Sequence, residues 1–134
     1  ELGLHKLTES GLDPKIVKYG IGEAPIAPIH PKSTKAMGRT NDMILYGGRV
    51  YFEVEHDNDE DLKKIVKKTP SSESKSYGEP FYDLFKAAGF DFYKIDPGLF
   101  APAIVTVNNL KTGKITTAGK INEEILLKSI GYVG

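Results

Sequence analysis

Apolar residues recur along the chain in alternating helical and strand-like patterns. The spacing predicts helices over residues 1–10, 57–70, 80–90 and 121–131, and a strand over 15–22. A short helix is predicted to start at Pro31 and to end at Gly38, because proline is tolerated in the first helical turn. About four to five helices are therefore expected.

Two segments have the pattern of β-hairpins. In 43–56, runs rich in Ile, Val, Tyr and Phe flank Gly47-Gly48, and such a pair between strands is typical of a tight turn. In 103–120, apolar runs flank the turn-forming stretch "NLKTGK". Because these hairpins and helices show no clear parallel βαβ repeat, we predict an α+β fold of two hairpins and short strands packed with the helices.

Composition and charge exclude several classes of function. Eighteen basic and eighteen acidic residues cancel, so no net charge attracts nucleic acid or an anionic membrane. The chain has no cysteine, which excludes disulfides, thiolate metal sites and a cysteine nucleophile. No apolar run approaches the length of a membrane span. We expect a cytoplasmic protein that binds neither nucleic acid nor membrane.

Common catalytic and metal-binding motifs are missing from the sequence. "GIGEAP" does not match the dinucleotide-binding glycine pattern, "KTGK" lacks the frame of a phosphate-binding loop, and no GxSxG occurs. The three histidines, His5, His30 and His56, do not have metal-ligand spacing. We therefore predict no metal site.

The stretch 24–42, "APIAPIHPKSTKAMGRTND", concentrates the chemistry that remains. Its three prolines make a rigid connector one interpretation. The other is a preorganised binding rim, in which Arg39, Asn41 and Asp42 project beyond a helix that ends at Gly38. Arginine, asparagine and aspartate together suit a ligand with donors and acceptors along one planar edge, such as a pterin or purine. Spacing alone favours neither interpretation.

Three long segments resemble methenyltetrahydromethanopterin cyclohydrolase: "GEAPIAPIHPKSTKAMGRTNDMILYGG", "YGEPFYDLFKAAGFDFYKIDPGLFAPAIVTVNNLKTGK" and "AGKINEEILLKSIG". The resemblance covers nearly the whole chain but only the C-terminal part of that family. It implies that residues 1–134 are the C-terminal part of a larger two-domain cyclohydrolase whose N-terminal part is missing here. A first residue other than Met, and a first helix without a capping residue, agree with that expectation.

The resemblance also implies a function and partners. Members interconvert the methenyl and formyl forms of tetrahydromethanopterin, need no metal or redox cofactor, form homotrimers and bind substrate between two domains. We expect the same small-molecule pterin substrate here, and the missing N-terminal part of the same enzyme as a partner. Two other hypotheses stay open: a non-catalytic pterin- or nucleotide-binding module, and a proteolytic remnant that folds only beside its missing half.

Site residues are carried over by register. The family's catalytic acid precedes an "LHKL" run, which places it at Glu1 as general base and acid. The arginine that precedes this acid by one helical turn would fall before residue 1. Arg39, Asn41 and Asp42 are then candidates for pterin or phosphate-tail contacts, with Glu23 and His30 as weaker candidates for substrate binding.

Overall fold

The computed structural model describes residues 2–131, and the side chains from residue 3 onward. Glu1, the predicted catalytic carboxylate, lies outside the described residues. The described part contains five α-helices and four strands: α1 (Leu2–Glu9), β1 (Val17–Glu23), α2 (Ser33–Leu45), β2 (Arg49–Val54), α3 (Asp59–Lys67), α4 (Phe81–Ala87), β3 (Ile104–Asn109), β4 (Ile115–Gly119) and α5 (Glu123–Ser129). The α+β prediction is confirmed.

The four strands form one mixed sheet in the order β1-β2-β3-β4. The outer pairs, β1-β2 and β3-β4, are antiparallel, whereas the central pair β2-β3 is parallel. The parallel pair is joined by a long crossover that contains α3 and α4, as parallel strands require.

One face of the sheet is packed and the other is open. Phe52, Val54, Val105 and Val107 alternate inward and meet apolar residues of α1 and α3 in one core cluster. The opposite face presents Tyr19, Ile21 and Ile115, which are 49%, 58% and 62% exposed. The sheet is therefore half-buried, as its period-2 patterning predicts.

A second core cluster joins α2, α4 and α5 beside the sheet. Its buried members are Leu45, Tyr46, Phe81, Phe85, Ile95, Leu99 and Ile125. Much of it is aromatic, with Phe81 stacked on Phe85 at a centroid distance of 5.9 Å. Lys6 of α1 reaches across the molecule and donates to the carbonyls of Thr69 (3.2 Å) and Gly98 (2.8 Å), which ties the two parts together.

The first predicted hairpin is wrong. Met43, Ile44 and Leu45 are the last turn of α2, which continues past Gly38 instead of ending there. Only β2 follows, and its antiparallel partner is β1, on the far side of α2 in sequence. Leu45 and Tyr46 are fully buried in the second cluster, so tertiary packing decides between helix and strand for residues that suit both.

The second hairpin is confirmed, because β3 and β4 pair across a tight turn at Gly113, whose φ is +75°. The later helices begin where the sequence provides caps: Asn58 accepts from the Asp61 N–H, and Asn122 from the Ile125 N–H. No helix in the described part of the chain is long and apolar enough to span a membrane.

Candidate functional site

Two clefts are lined by four of the predicted site residues, His30, Arg39, Asp42 and Glu23. The first, the helix cleft, has a volume of about 220 Å³ and lies where α2, the start of α4 and the end of α5 meet. Its walls include His30, Lys35, Arg39, Asp42, Tyr82 and Lys128. The second, the sheet-end cleft, has a volume of about 460 Å³ and lies between the start of α1 and the ends of β1 and β2.

Asp42 forms the floor of the helix cleft. It sits in the last turns of α2, is 1% exposed, and accepts a hydrogen bond from the Phe81 N–H at 2.8 Å. Phe81 is the first residue of α4, whose own N-cap is Pro80. Asp42 thus supplies from α2 the acceptor that the start of α4 lacks.

Burial raises the pKa of Asp42 to about 6, although hydrogen bonds from the Ser129 side chain and the Phe81 backbone oppose the rise. The carboxyl group can therefore change charge near neutral pH. That change would alter the charge of the helix cleft as well as the contact between α2 and α4.

Arg39 lies one helical turn before Asp42 and is half-buried. Its guanidinium donates to the Ile29 carbonyl (3.3 Å) and the Ile130 carbonyl (3.4 Å). It therefore joins the proline-rich segment to the end of α5. Three of its five N–H donors remain for a ligand in the cleft.

Cationic groups cluster at the mouth of the helix cleft. The ammonium groups of Lys32 and Lys35 each lie 5.6 Å from the centroid of the Tyr82 ring, within reach of a cation–π interaction. Lys128 lines the same cleft and contacts Glu124 at 3.4 Å. Asp83 lines the cleft as well, so its walls carry charge of both signs.

Asn41 and His30 both make hydrogen bonds within the chain. The Asn41 amide donates to the Met37 carbonyl (3.0 Å) and to Met37 Sδ (3.1 Å), within its own helix. The His30 imidazole Nδ1 accepts from the Lys32 N–H at 3.0 Å, shaping the turn into α2 while lining the helix cleft. Arg39, Asn41 and Asp42 lie within α2, so their predicted position beyond a helix end at Gly38 is wrong.

The sheet-end cleft is lined by small and apolar residues with two charged side chains. Gly3 of α1, Ile44, Val50 and Pro102 contribute to its walls, together with Glu23 and Arg49. A Cβ atom at Gly3 would lie 3.1 Å from both methyl groups of Val50. Glycine at this position lets the start of α1 approach β2 closely, so the chain segment next to Glu1 borders this cleft.

Glu23 and Arg49 are direct partners in the β1-β2 register and are both exposed. The sequence predicts Glu23 as a weaker candidate for substrate binding and does not predict Arg49. The signal for Arg49 was available, since it is one of only two arginines in the chain. The sequence pattern does not show that β1 pairs with β2, because it predicts that residues 43–48 form a hairpin with β2 instead. The position of Arg49 opposite Glu23 is visible only in the structure.

Comparison with known proteins places the chain in a family. Residues 1–130 match the profile of the family described as Cyclohydrolase (MCH). The chain belongs to this cyclohydrolase family. It is 52% identical over 132 residues to methenyltetrahydromethanopterin cyclohydrolase of Methanothermobacter marburgensis and 54% identical over 131 residues to that of Methanococcoides burtonii. The protein of the same name from Methanocaldococcus jannaschii is 50% identical over 133 residues.

These cyclohydrolase relatives are much longer than this chain. Each match covers 98% of the chain but 41% of the relative. Relatives in this family therefore contain polypeptide beyond the part that matches this chain.

The structure divides the predicted site residues of this cyclohydrolase-family chain between the two clefts. His30, Arg39 and Asp42 meet in the helix cleft, Glu23 lies in the sheet-end cleft, and Asn41 lines neither. The proline-rich segment 24–32 connects the two, since it follows Glu23 directly and ends at α2. Among residues 2–131, no group of three or more histidines and carboxylates is arranged to hold a metal ion.

Proposed function

We propose that this chain is part of an enzyme that hydrolyses the methenyl bridge of methenyl-tetrahydromethanopterin to the formyl derivative, reversibly, in one-carbon metabolism. The observation that carries the proposal is membership of the cyclohydrolase family along nearly the whole chain, with relatives of that name 50–54% identical. The sheet-end cleft, bordered by the start of α1, agrees with it.

The proposed reaction needs one carboxylate acting twice. The methenyl carbon is part of a cationic amidine-like bridge, and the Glu1 carboxylate removes a proton from the water that attacks it. The tetrahedral carbon then expels one ring nitrogen, and the protonated Glu1 delivers its proton to that nitrogen. The formyl group stays on the other nitrogen, and its carbonyl forms as the hydroxyl proton of the tetrahedral carbon is released to solvent. The positive charge of the substrate therefore leaves as one proton, and Glu1 returns to its starting charge.

The positive charge of the substrate explains why this chemistry needs no Lewis acid. The carbon to be attacked is already electron-poor, and a nearby carboxylate favours the cation electrostatically. We therefore propose that turnover requires no metal or redox cofactor. Activity of a sample treated with a chelator should equal that of the untreated sample, and a loss restored by one metal would contradict this.

We propose that the pterin head occupies the sheet-end cleft and that the phosphate-bearing tail extends toward the helix cleft. There Arg39, Lys35 and Lys128 provide positive charge, while His30 and Asp42 shape the cleft. Arg39→Ala should raise the KM for substrate more than it lowers kcat, because tail contacts contribute to binding in the ground state. An unchanged KM would exclude a tail contact for Arg39.

The test of the catalytic role is Glu1→Gln in a protein that contains this sequence within the full length of its relatives. The rate at which the methenyl absorbance decreases should be lower by about 100-fold or more, since general acid–base catalysis contributes roughly 10²–10⁴-fold to a rate. Glu9→Gln is the matched control: Glu9 is the last residue of α1, lies 2.9 Å from His5 and lines neither cleft. If the Glu1→Gln variant turns over substrate within twofold of the wild-type rate, the catalytic role of Glu1 is refuted. If the wild-type protein binds the substrate without converting it, the chain is part of a non-catalytic pterin-binding module.

We also propose that the complete protein is a cytoplasmic homotrimer, as the family resemblance implies. Sedimentation equilibrium of that protein should give three times the mass of one chain. A mass of one or two chains at micromolar concentration would contradict this.

A further inference from the structure

We infer that Glu23 and Arg49 together recognise the 2-amino-4-oxopyrimidine edge of a bound ligand, the edge that a pterin shares with guanine. This inference rests on the proposed function for its substrate class. It assigns a role to Arg49 and a specific contact to Glu23.

The first observation is that the two charges are adjacent. Glu23 and Arg49 are register partners at the last rung of the β1-β2 pair. Directly opposed residues have Cβ atoms about 4.5–5.5 Å apart, so both side chains can reach the edge of one small heterocycle.

The second observation is that neither charged group is used internally. Among the described residues, no hydrogen bond or salt bridge involves the side chain of Glu23 or of Arg49, although the two oppose each other. Lys18 and Glu55, at the opposite end of the same strand pair, lie 3.8 Å apart. The other arginine, Arg39, is bonded to two carbonyls. The donors and acceptors at the sheet end are therefore available to a ligand.

The third observation is the surrounding space. Glu23 and Arg49 line the sheet-end cleft and also a neighbouring cleft of about 280 Å³ on the open face of the sheet, beside Tyr51 and Ile104. The walls that accompany them in the sheet-end cleft are apolar or glycine: Gly3, Gly22, Ile44, Gly48, Val50 and Pro102. Flat apolar walls with a few convergent polar groups are typical of a site for a planar ring.

The chemistry of the pair matches one kind of edge. An ionised carboxylate only accepts hydrogen bonds, so Glu23 suits the ring N–H and the 2-amino group, which donate side by side. A guanidinium only donates, so Arg49 suits the adjacent 4-oxo oxygen. An edge with two donors beside one acceptor satisfies both charged groups at once.

The experiment is a titration of the ¹⁵N-labelled chain with 6,7-dimethylpterin, 6,7-dimethyllumazine and GMP, followed by amide chemical shifts. Lumazine has a 2-oxo group in place of the 2-amino group and removes one donor. Dimethylpterin should shift the amides of residues 22–24 and 48–50 and bind about tenfold more tightly than lumazine, because one charge-assisted hydrogen bond is lost. Tighter binding of dimethylpterin than of GMP would identify the pterin as the source of this edge, and the reverse would identify a guanine nucleotide.

Two variants test the pair itself. Glu23→Gln should weaken dimethylpterin binding about tenfold and erase its preference over lumazine, whereas Arg49→Lys should weaken both ligands. Glu55→Gln, directly after β2 at the far end from the cleft, is the control and should leave both dissociation constants unchanged. Shifts confined to the helix cleft, no shift at millimolar ligand, or an unchanged preference in Glu23→Gln would each overturn the inference.

Turnover separates this inference from the proposed function. If a full-length protein with this sequence hydrates the methenyl substrate with unchanged KM in Glu23→Gln and Arg49→Lys, the inference fails and the proposed function stands. If both ligands bind as expected at the sheet end but no hydration occurs, recognition of the edge stands and the proposed activity fails.

Discussion

Asp42 is the residue whose charge most directly couples stability to pH. Its pKa is raised to about 6 by burial, above its ordinary value of 3.8, so the folded state binds a proton more tightly than the unfolded chain. The resulting stabilisation is complete below about pH 4 and is lost as pH rises through 6. The difference between the folded pKa of about 6 and the ordinary value of 3.8 corresponds to about 3 kcal/mol of stabilisation at low pH.

We expect Asp42→Asn to remove this pH dependence, since the amide keeps an acceptor for the Phe81 N–H without a charge. Urea unfolding at pH 4 and pH 7 should show wild type losing about 2 kcal/mol more than the variant over that interval. Glu60→Gln, an exposed carboxyl on α3, should behave as wild type. Equal losses in wild type and Asp42→Asn would show that Asp42 is not the group responsible.

Asn109 and Asn108 are neighbours in β3 with very different environments. Asn109 is fully buried, and its amide donates to the His56 carbonyl (2.9 Å) and to Asp59 Oδ1 (2.9 Å), while its oxygen accepts from the His56 N–H (3.1 Å). It thereby fixes the loop between β2 and α3. Asn108 lies on the open face and donates to the Tyr51 hydroxyl at 3.1 Å.

Asn109→Ala should lower the free energy of unfolding by about 2–4 kcal/mol, because it removes the hydrogen bonds of a fully buried amide and leaves half-buried backbone groups of His56 without partners. Asn108→Ala should cost less than about 1 kcal/mol, since water replaces its partner. Chemical denaturation of the two variants provides the comparison. Equal costs would mean that the His56 loop finds other partners when Asn109 is removed.

Among the elements, the α2–β2 connection shows why one part of the fold could not be predicted from the sequence. The sequence Gly47-Gly48 between two apolar runs is compatible with a hairpin turn and equally compatible with the C-terminal end of a helix. The helix is favoured because Leu45 and Tyr46 are buried against α4 and α5. That long-range contact cannot be predicted from the local sequence. By contrast, α3 and α5 carry their own caps and β3-β4 its own turn, so those elements were predictable.

Gly48→Ala tests the new assignment of this connection. A Cβ at residue 48 would lie 2.5 Å from the Ile44 carbonyl oxygen, a backbone atom of α2 to which the Gly48 N–H is bonded at 2.9 Å. We expect a loss of more than about 2 kcal/mol, within the range for overpacking. Gly113→Ala, with open space but a φ of +75°, should cost about 1 kcal/mol. A Gly48→Ala cost no larger than that of Gly113→Ala would argue against the tight helix end.

At the scale of the whole molecule, the candidate site could be predicted only in part. Residue type and family resemblance predict four residues that line the helix cleft or the sheet-end cleft: Arg39, Asp42, His30 and Glu23. Their division between two clefts depends on the pairing of β1 with β2 across α2, a long-range contact that no local pattern encodes. Arg49 was missed for the same reason, and Glu1 stays a prediction.

Whether residues 1–134 fold without the additional length of their relatives is the remaining prediction. The described part has two apolar clusters, one on the sheet and one among α2, α4 and α5, tied by Lys6. We expect one cooperative transition, with far-ultraviolet circular dichroism and tyrosine fluorescence coinciding. Leu62→Ala in the first cluster should cost about 2–5 kcal/mol and Phe81→Ala in the second about 3–5 kcal/mol, each moving both signals together.

Ile29→Ala is the control for that experiment, because Ile29 is 96% exposed and should change stability by less than about 0.5 kcal/mol. If Phe81→Ala moves only the tyrosine signal, the two clusters unfold separately, and the contacts of Lys6 are too weak to couple them. If the wild-type chain shows no transition at all, the open sheet face with Tyr19, Ile21 and Ile115 needs a cover before the fold is stable. That outcome would support a chain that folds only beside the rest of its family's length, and it would move every binding test to the full-length protein.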